Sequence, residues 1–226
     1  MQEHERRARR LGVEVTRTAR AIAALIALAL LTAGCSSEKA VDLAGTVVDP
    51  PFTIASDTLT TEDGKPFTFA KDTTKPLTLV FFGYTNCPDI CPTVLSSIAS
   101  GLTKLSAKQR DEVQLFFVTS DPVRDTGPVL KSYLQRFDPS FSGLTGKIES
   151  IAKVGRSMGV FVDDGAKLPN GGYDPNSHTS YVIGIDETHK APIFWGGDTA
   201  PIQFANDFKF LLTERPEHLK GGSSGG

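Results

Sequence analysis

The strongest candidates for a reactive or metal-binding site in this chain are two cysteines separated by three residues, Cys87 and Cys91. They follow the apolar run 77–82, whose β-branched and aromatic residues predict a buried strand. After them, apolar residues recur at helical spacing: Val94, Leu95, Ile98, Leu102 and Leu105. The unpaired N–H groups and the dipole at a helix start are expected to stabilise a thiolate there and to lower its pKa. The pattern therefore predicts thiol redox chemistry or a site for a soft metal.

A structural disulfide is the alternative interpretation of this pair. A bond between Cys87 and Cys91 would close a short loop, so it would add little stability. Pro92 suits an early helical position, where its missing N–H costs nothing.

The first 34 residues are expected to be a lipoprotein signal peptide. They contain six Arg and three Glu, followed by the uncharged run 21–34, which is too short for a membrane span of about 20 residues. The segment 31–34 before Cys35 resembles a bacterial lipobox, which predicts lipidation of Cys35. A signal anchor with an incidental cysteine and a twin-arginine export route, suggested by the arginine pairs at 6–7 and 9–10, are the alternatives.

The composition argues against nucleic-acid binding. The whole chain has a net charge of −2, and without the six Arg and three Glu of the first 34 residues it becomes −5. No basic cluster is apparent in the rest of the chain. An exported chain also leaves its cysteines free to be oxidised, reduced or metallated.

His178 is the candidate third ligand. It ends the Gly- and Pro-containing segment 163–177 and precedes the apolar run 180–185. Two sulfurs and an imidazole would suit Cu(I), Cu(II) or Zn(II), and an open three-ligand site suits a metal that is passed on. The alternative is a turn histidine that caps a strand. His189 is expected to face solvent, and His4 and His218 are poor ligand candidates.

Several other residues near the cysteines admit two interpretations. Asp89 is a possible fourth ligand but is better explained as an exposed first-turn acid, and Met158 as a core residue. Tyr84 would shield a metal or cap the sheet. Asp121, Arg124 and Asp125 form either a turn held by an Asp–Arg pair or a group that orients the site or docks a partner.

The order of the predicted elements indicates a thioredoxin-like α/β fold with an N-terminal β-hairpin extension and a β-hairpin insertion region. Strands are expected at 46–48, broken by Pro50-Pro51, and at 77–82, 113–119 and 159–162. A first hairpin is expected around 63–66 and a second around 186–190. Helices are expected at 128–137, 148–158 and 201–212. The predicted organisation is a signal peptide at 1–34, a tether at 35–44, one domain at 45–214 and a flexible tail at 215–226.

The chain resembles the SCO/SenC family. The resemblance rests on FFGYTNCPDICPTVL at 81–95, SDPVRDTGPVLKSYLQRFDPSFSGLTG at 120–146 and YDPNSHTSYVIGID at 173–186, in this order and separation. It implies a membrane-tethered, extracytoplasmic thioredoxin-fold protein that binds copper through Cys87, Cys91 and His178. It further implies that copper is delivered to the dinuclear centre of cytochrome c oxidase subunit II, with another copper chaperone as a possible donor.

The residues themselves leave two functions open. In the first, the three ligands carry copper and surrender it by ligand exchange. In the second, Cys87 and Cys91 form a thiol–disulfide oxidoreductase that reduces the oxidase copper-site cysteines before metallation. Peroxidase chemistry is disfavoured because Cys87 lacks the required upstream Pro and Thr or Ser pattern.

Overall fold

An eight-stranded mixed sheet forms the centre of the fold. The computed structural model describes residues 43–162 and 179–214. The strands in the order in which they lie side by side are β1 (Thr46–Thr53), β8 (Lys190–Trp195), β7 (Val182–Asp186), β4 (Leu77–Gly83), β5 (Val113–Thr119), β6 (Phe141–Thr145), β2 (Leu59–Thr61) and β3 (Pro66–Phe67). The pairs β4–β5 and β5–β6 are parallel and the other neighbours are antiparallel. This sheet confirms the predicted thioredoxin-like α/β class.

Helices cover both faces of the sheet. They are α1 (Phe69–Asp72), α2 (Ile90–Leu102), α3 (Ala107–Asp111), α4 (Gly127–Leu134), α5 (Ile148–Ser157) and α6 (Pro201–Glu214). Buried residues of α2, α4 and α6 share one apolar cluster, whereas those of α1 and α5 belong to a second cluster. Among the helices of the described ranges, none is long and apolar enough to cross a membrane.

The alternation of side chains along the central strands explains why two cores form. In β4, Leu79 and Phe81 point into the first cluster, while Val80 and Phe82 point into the second. Successive side chains of a strand face opposite sides, and all seven residues of β4 are buried. Because helices cover both faces of β4, its residues form a nearly continuous apolar run in the sequence.

The topology brings three chain segments to one edge of the sheet. Since β4 and β5 are parallel, their carboxyl ends, Gly83 and Thr119, are register partners. Strand β7 is antiparallel to β4, and its first residue, Val182, pairs with Phe81 near the end of β4. The loop after β4, the loop after β5 and the entry to β7 consequently meet at this edge.

Two strand predictions were wrong. Strand β1 does not stop at Pro50-Pro51 but continues to Thr53 with a register shift, because it is an edge strand, where a missing N–H is tolerated. Residues 159–162 form no strand, and only Val162 makes an isolated bridge. Gly159 instead has a φ of 72° and follows the end of α5, a common way to terminate a helix.

The helix predictions were confirmed except at their ends and in one side chain. Helix α4 ends at Leu134 and not at Phe137, although Phe137 N–H still bonds to the Leu134 carbonyl. Val129, expected on its buried face, is 41% exposed, whereas Leu130 and Tyr133 are buried. The short helices α1 and α3 were not predicted.

Several sequence-based predictions lie outside the described residues. They are the signal peptide at 1–34 with Cys35 just beyond it, the segment 163–177, His178 and the tail 215–226. The described part of the predicted 35–44 tether, Leu43 and Ala44, belongs to the compact unit that begins at Leu43.

Candidate metal centre

The two cysteines lie together where the loop after β4 becomes helix α2. A turn closed by a 3.2 Å hydrogen bond from Cys87 N–H to the Tyr84 carbonyl brings Cys87 back towards the strand. Helix α2 begins at Ile90, so Cys91 is its second residue. The Cys91 N–H donates to Cys87 Sγ at 3.4 Å, and both cysteines are free thiols. The predicted pairing of the two thiols at a strand–helix junction is confirmed.

The pKa of the Cys91 thiol is raised, whereas its position at a helix start predicted a lowered pKa. Cys91 is fully buried and Cys87 is 9% exposed. Burial raises the pKa of Cys91 well above its ordinary value, and a hydrogen bond with the Cys87 side chain raises it further. The expectation that the helix start lowers the thiol pKa is therefore wrong for Cys91, because desolvation of the thiolate outweighs the helix dipole.

Gly83 and Phe117 form the wall behind Cys91. A Cβ atom on Gly83 would lie 2.7 Å from Cys91 Sγ and 2.9 Å from the Phe117 ring. The last residue of β4 must therefore be glycine for the helix to bring its sulfur against the sheet. The sequence marked Gly83 only as the end of a strand.

Two tyrosine side chains complete the surroundings of the sulfur pair. Tyr84 is 5% exposed, and its pKa is raised first by burial and then by the nearby charges of Cys87 and Cys91. The pKa of Tyr133 is likewise raised first by burial, then by Cys91 and Cys87. The Tyr133 hydroxyl is buried and has no hydrogen-bond partner within the described ranges. Tyr84 and Tyr133 belong to the same buried cluster as the two cysteines. That Tyr84 shields a metal stays a prediction.

Asp125 connects the cysteine loop to the end of β5. Its carboxylate accepts hydrogen bonds from Thr85 N–H at 2.9 Å, Thr85 Oγ1 at 2.6 Å and Thr119 Oγ1 at 2.7 Å. The sequence singled out Asp125 but gave no signal for Thr85 or Thr119, which lie 40 and 6 positions away from it.

Asp121 and Arg124 form the ion pair considered in the sequence. Asp121 Oδ2 accepts from Arg124 Nε, and the Asp121 side chain is buried while Arg124 is 41% exposed. Asp125 N–H bonds to the Asp121 carbonyl at 2.9 Å, which closes the turn. The turn interpretation is confirmed, and the same turn places Asp125 beneath the cysteine loop.

His178 lies outside the described residues, but the chain that follows it reaches the cysteine edge of the sheet. Thr179 pairs with Phe161 through a backbone hydrogen bond of 3.1 Å. A Cβ atom on Gly197 would lie 2.9 Å from the Ser180 carbonyl oxygen and 3.3 Å from Ile90 Cδ1. Gly197 therefore lies between Ser180 and Ile90. Ser180 is two residues after His178, and Ile90 immediately precedes Cys91.

The remaining candidate ligands from the sequence that the structure describes are Asp89, Met158 and His189. Asp89 is exposed and its side chain makes no cap hydrogen bond, and Met158 is fully buried in the second core. His189, expected to face solvent, is half-buried, and its Nδ1 lies 2.6 Å from Thr73 Oγ1. It follows Asp186, the partner of Leu77, so it lies at the opposite end of β4 from the cysteines.

The two described cysteines supply part of a donor set for a soft metal. Within residues 43–162 and 179–214, no group of three or more His, Cys, Asp or Glu side chains could hold an ion. The two adjacent sulfurs supply two soft ligands in a site walled by aromatic rings, which suits copper. A complete site needs one further donor.

Solved structures share this fold. ScoI of Bradyrhizobium japonicum with copper bound is 36% identical, with a TM-score of 0.56 over 70% of this chain and 96% of that one. Yeast Sco1 with copper bound is 28% identical, with a TM-score of 0.63 over 73% of this chain and 90% of that one.

Curated relatives match over shorter segments. A putative copper-binding protein of Stutzerimonas stutzeri is 43% identical over 82 residues, which cover 36% of this chain and 40% of the relative. An SCO2-like protein of Rickettsia conorii is 36% identical over 141 residues, which cover 61% and 65%. The chain thus spans less than two thirds of the length of these relatives. The SCO1/SenC family model matches residues 47–213, well over half of the sequence, and the chain therefore belongs to the SCO1/SenC family.

Proposed function

We propose that this protein is a copper carrier that binds one copper ion through Cys87, Cys91 and His178. The observation that carries the proposal is the pair of adjacent, unbridged sulfurs at the edge of the sheet where β7 begins. Two relatives with the same fold, the Bradyrhizobium and yeast proteins, have been solved with copper bound. His178 is the ligand candidate because only three residues separate it from Val182, the first residue of β7.

A three-ligand set of two cysteines and a histidine favours copper as cargo over copper as a resident group. Thiolate sulfur favours Cu(I), and sulfur combined with imidazole also accepts Cu(II). A set of three ligands leaves a coordination position through which an incoming thiolate can attack, in contrast to closed four-ligand structural sites. Cys87 is the more exposed of the two cysteines, so we infer that an incoming acceptor thiol meets the site on the Cys87 side.

Copper loading is coupled to proton release. Burial raises the pKa of Cys91, so its thiol is protonated at neutral pH in the free protein. A metal binds the thiolate, and the proton of Cys91 must therefore leave as the ion enters.

We further propose that the acceptor is the dinuclear copper centre of cytochrome c oxidase subunit II, with another copper chaperone as a possible donor. The support is the family resemblance of the CxxxCP, DPxRDT and His-Thr segments. The protein would act on the extracytoplasmic face of the membrane, tethered through a lipid on Cys35 after removal of residues 1–34. A solved family member, from Bacillus anthracis, is described as a lipoprotein and is 27% identical.

A copper titration of the wild-type protein and two variants tests the ligand assignment. The reduced protein is expected to bind one equivalent, and His178→Ala to bind at least about tenfold more weakly because one of three ligands is lost. His189→Ala is the matched control, since this histidine lies at the other end of the sheet. Equal affinity of His178→Ala and His189→Ala would refute the assignment.

A transfer assay tests the carrier role itself. Copper-loaded protein is mixed with a peptide bearing the oxidase copper-site cysteines, and the copper content of each is measured after separation. Copper should move to the peptide from the wild-type protein. Retention of copper by the protein at excess peptide would argue against delivery.

Thiol–disulfide exchange is the second candidate function, favoured by the adjacency of two free thiols. The Cys87 thiolate would attack a target disulfide, release one target thiol and form a mixed disulfide. Cys91 would then attack the Cys87 sulfur, which releases the second target thiol and leaves a Cys87–Cys91 disulfide. The chain loses two electrons and the target gains them. If His178→Ala still supports oxidase assembly and the dithiol reduces the target, this function replaces the carrier role.

A further inference from the structure

The Asp125 carboxylate is a buried anion that accepts hydrogen bonds from the cysteine loop and from the end of β5. The residue is 1% exposed, so it is almost fully removed from water. Oδ2 accepts from Thr85 N–H and Thr119 Oγ1, and Oδ1 accepts from Thr85 Oγ1, at distances of 2.6–2.9 Å. Hydrogen bonds to a buried charge are stronger than those between neutral groups, so this junction is rigid.

The junction joins three chain segments. Thr85 belongs to the cysteine loop and stands two residues before Cys87, and Thr119 is the last residue of β5. Asp125 itself precedes Thr126, the N-cap residue of α4. The Thr119 hydroxyl also accepts from Asp121 N–H at 2.9 Å, which ties the turn after β5 to the same point. The cysteine loop is therefore attached to the parallel neighbour of its own strand.

The geometry points to Asp125 as a positioning residue for the metal-binding cysteines: it holds the segment before Cys87 so that the two sulfurs are arranged before copper arrives. This inference rests on the proposed copper site. Asp125 does not touch the sulfurs in any described hydrogen bond, and it acts through Thr85. Burial is the main cause of the raised pKa of Cys91, but the charge of Asp125 adds to it, which agrees with a carboxylate near the pair.

Preorganisation explains why a carrier would keep a charged group buried at this point. Without Asp125, the N–H and the hydroxyl of Thr85 would lose their acceptor, while the bond from Cys87 N–H to the Tyr84 carbonyl would remain. A loop held by fewer bonds samples more conformations, and copper binding would have to order it. Loss of a group that hydrogen-bonds directly to a metal ligand typically weakens metal binding by about 10- to 100-fold, and we expect Asp125, which acts through Thr85, to lie at the lower end of this range.

The test compares Asp125→Ala with Asp125→Asn and with Asp138→Ala. Asparagine has the shape of aspartate: its oxygen can accept from Thr85 N–H and Thr119, and its amide can donate to Thr85 Oγ1. Asp138 is the matched control, a carboxylate 4% exposed that accepts from Ser140 N–H and Oγ and pairs with Arg110. It precedes β6, whose first residue pairs with Leu115, so it lies towards the other end of β5 from Thr119.

Amide hydrogen exchange of the reduced, copper-free protein is the first readout. We expect the Cys87 and Cys91 amides to exchange at least about tenfold faster in Asp125→Ala than in Asp138→Ala, and Asp125→Asn to stay within about threefold of wild type. Copper affinity should fall about tenfold in Asp125→Ala only, and its copper–thiolate absorption band should shift or broaden. Exchange rates and affinity equal to those of Asp138→Ala would overturn the inference.

The two readouts separate this inference from the proposed function. If wild-type protein binds no copper, the carrier proposal fails, while the exchange rates still decide whether Asp125 positions the loop. Should Asp125→Ala fail to fold, Thr85→Val removes only the 2.6 Å hydroxyl bond. That variant should speed exchange at Cys87 by roughly threefold, and an unchanged rate would count against the inference.

Discussion

The backbone N–H of Cys91 donates a 3.4 Å hydrogen bond to Cys87 Sγ, so the first cysteine caps the helix that carries the second. Asp89, at the N-cap position of α2, makes no side-chain cap bond. The Cys87 sulfur thus satisfies one of the N–H groups that every helix start leaves open. Metal binding or oxidation at the Cys87 sulfur would therefore alter a hydrogen bond in the first turn of α2.

The two cysteines should differ in their contribution to stability. Cys91→Ser places a hydroxyl in a fully buried position against the sheet, and it should lower the free energy of unfolding by about 2 kcal/mol. Cys87→Ser keeps an acceptor for Cys91 N–H and should cost less than about 1 kcal/mol. Urea denaturation of the reduced proteins measures both. Equal losses would contradict the burial difference.

Gly83→Ala should destabilise the protein and displace the helix start. Its Cβ would lie 2.7 Å from Cys91 Sγ and 2.9 Å from the Phe117 ring, so we expect a loss of about 1–3 kcal/mol. Gly146→Ala is the control, because its nearest neighbour would be Leu59 Cδ2 at an ordinary 3.5 Å. The free energies of unfolding of both variants decide this. A Gly83→Ala protein as stable as Gly146→Ala would disprove the close packing.

Stability of the reduced protein should fall at alkaline pH. The pKa of Cys91 is raised in the folded state, chiefly by burial, so the folded protein binds its thiol proton more tightly than the unfolded chain does. The resulting stabilisation is complete below the unfolded thiol pKa of about 8.5 and decreases above it, by about 1.4 kcal/mol per pH unit. Denaturation midpoints at pH 7.5, 8.5 and 9.5 should show the decline, and Cys91→Ser should flatten it. A curve for Cys91→Ser parallel to wild type would assign the decline to other groups.

Asp207→Ala should detach the beginning of the domain. The buried Asp207 carboxylate accepts from Gly45 N–H and Trp195 Nε1 at 2.8 Å each, and from Ala44 N–H at 3.3 Å. Loss of the acceptor leaves the buried indole N–H unsatisfied, and we expect a cost of about 3 kcal/mol with faster amide exchange at Gly45.

Lys153→Ala is the control for this loss, since it removes only an exposed ion pair with Asp57 and should cost less than about 0.5 kcal/mol. Comparable midpoints for the two variants in a denaturation series would show that Asp207 does not hold this junction.

The local elements and the position of the thiols at a strand–helix junction could be predicted from the amino-acid sequence alone. The apolar run of β4, the helical spacing after Cys91 and the two hairpins are short-range patterns, and each appeared where predicted. Such patterns can be recognised in a sequence because the periodicity of a strand or helix involves residues that are close together in the chain. The strand over Pro50-Pro51 was missed because only the sheet order reveals that β1 is an edge.

The surroundings of the two sulfurs depend on long-range contacts and could not be predicted from the sequence. Thr85 and Asp125 are 40 positions apart, and Gly83 meets Phe117 only because β4 and β5 pair in register. The pKa of Cys91 also depends on both local and distant residues. A helix start lowers a thiol pKa, whereas burial by residues distant in the chain raises it, and burial is the larger effect on Cys91. Desolvation depends on everything that packs around an atom, and no local pattern in the chain encodes that.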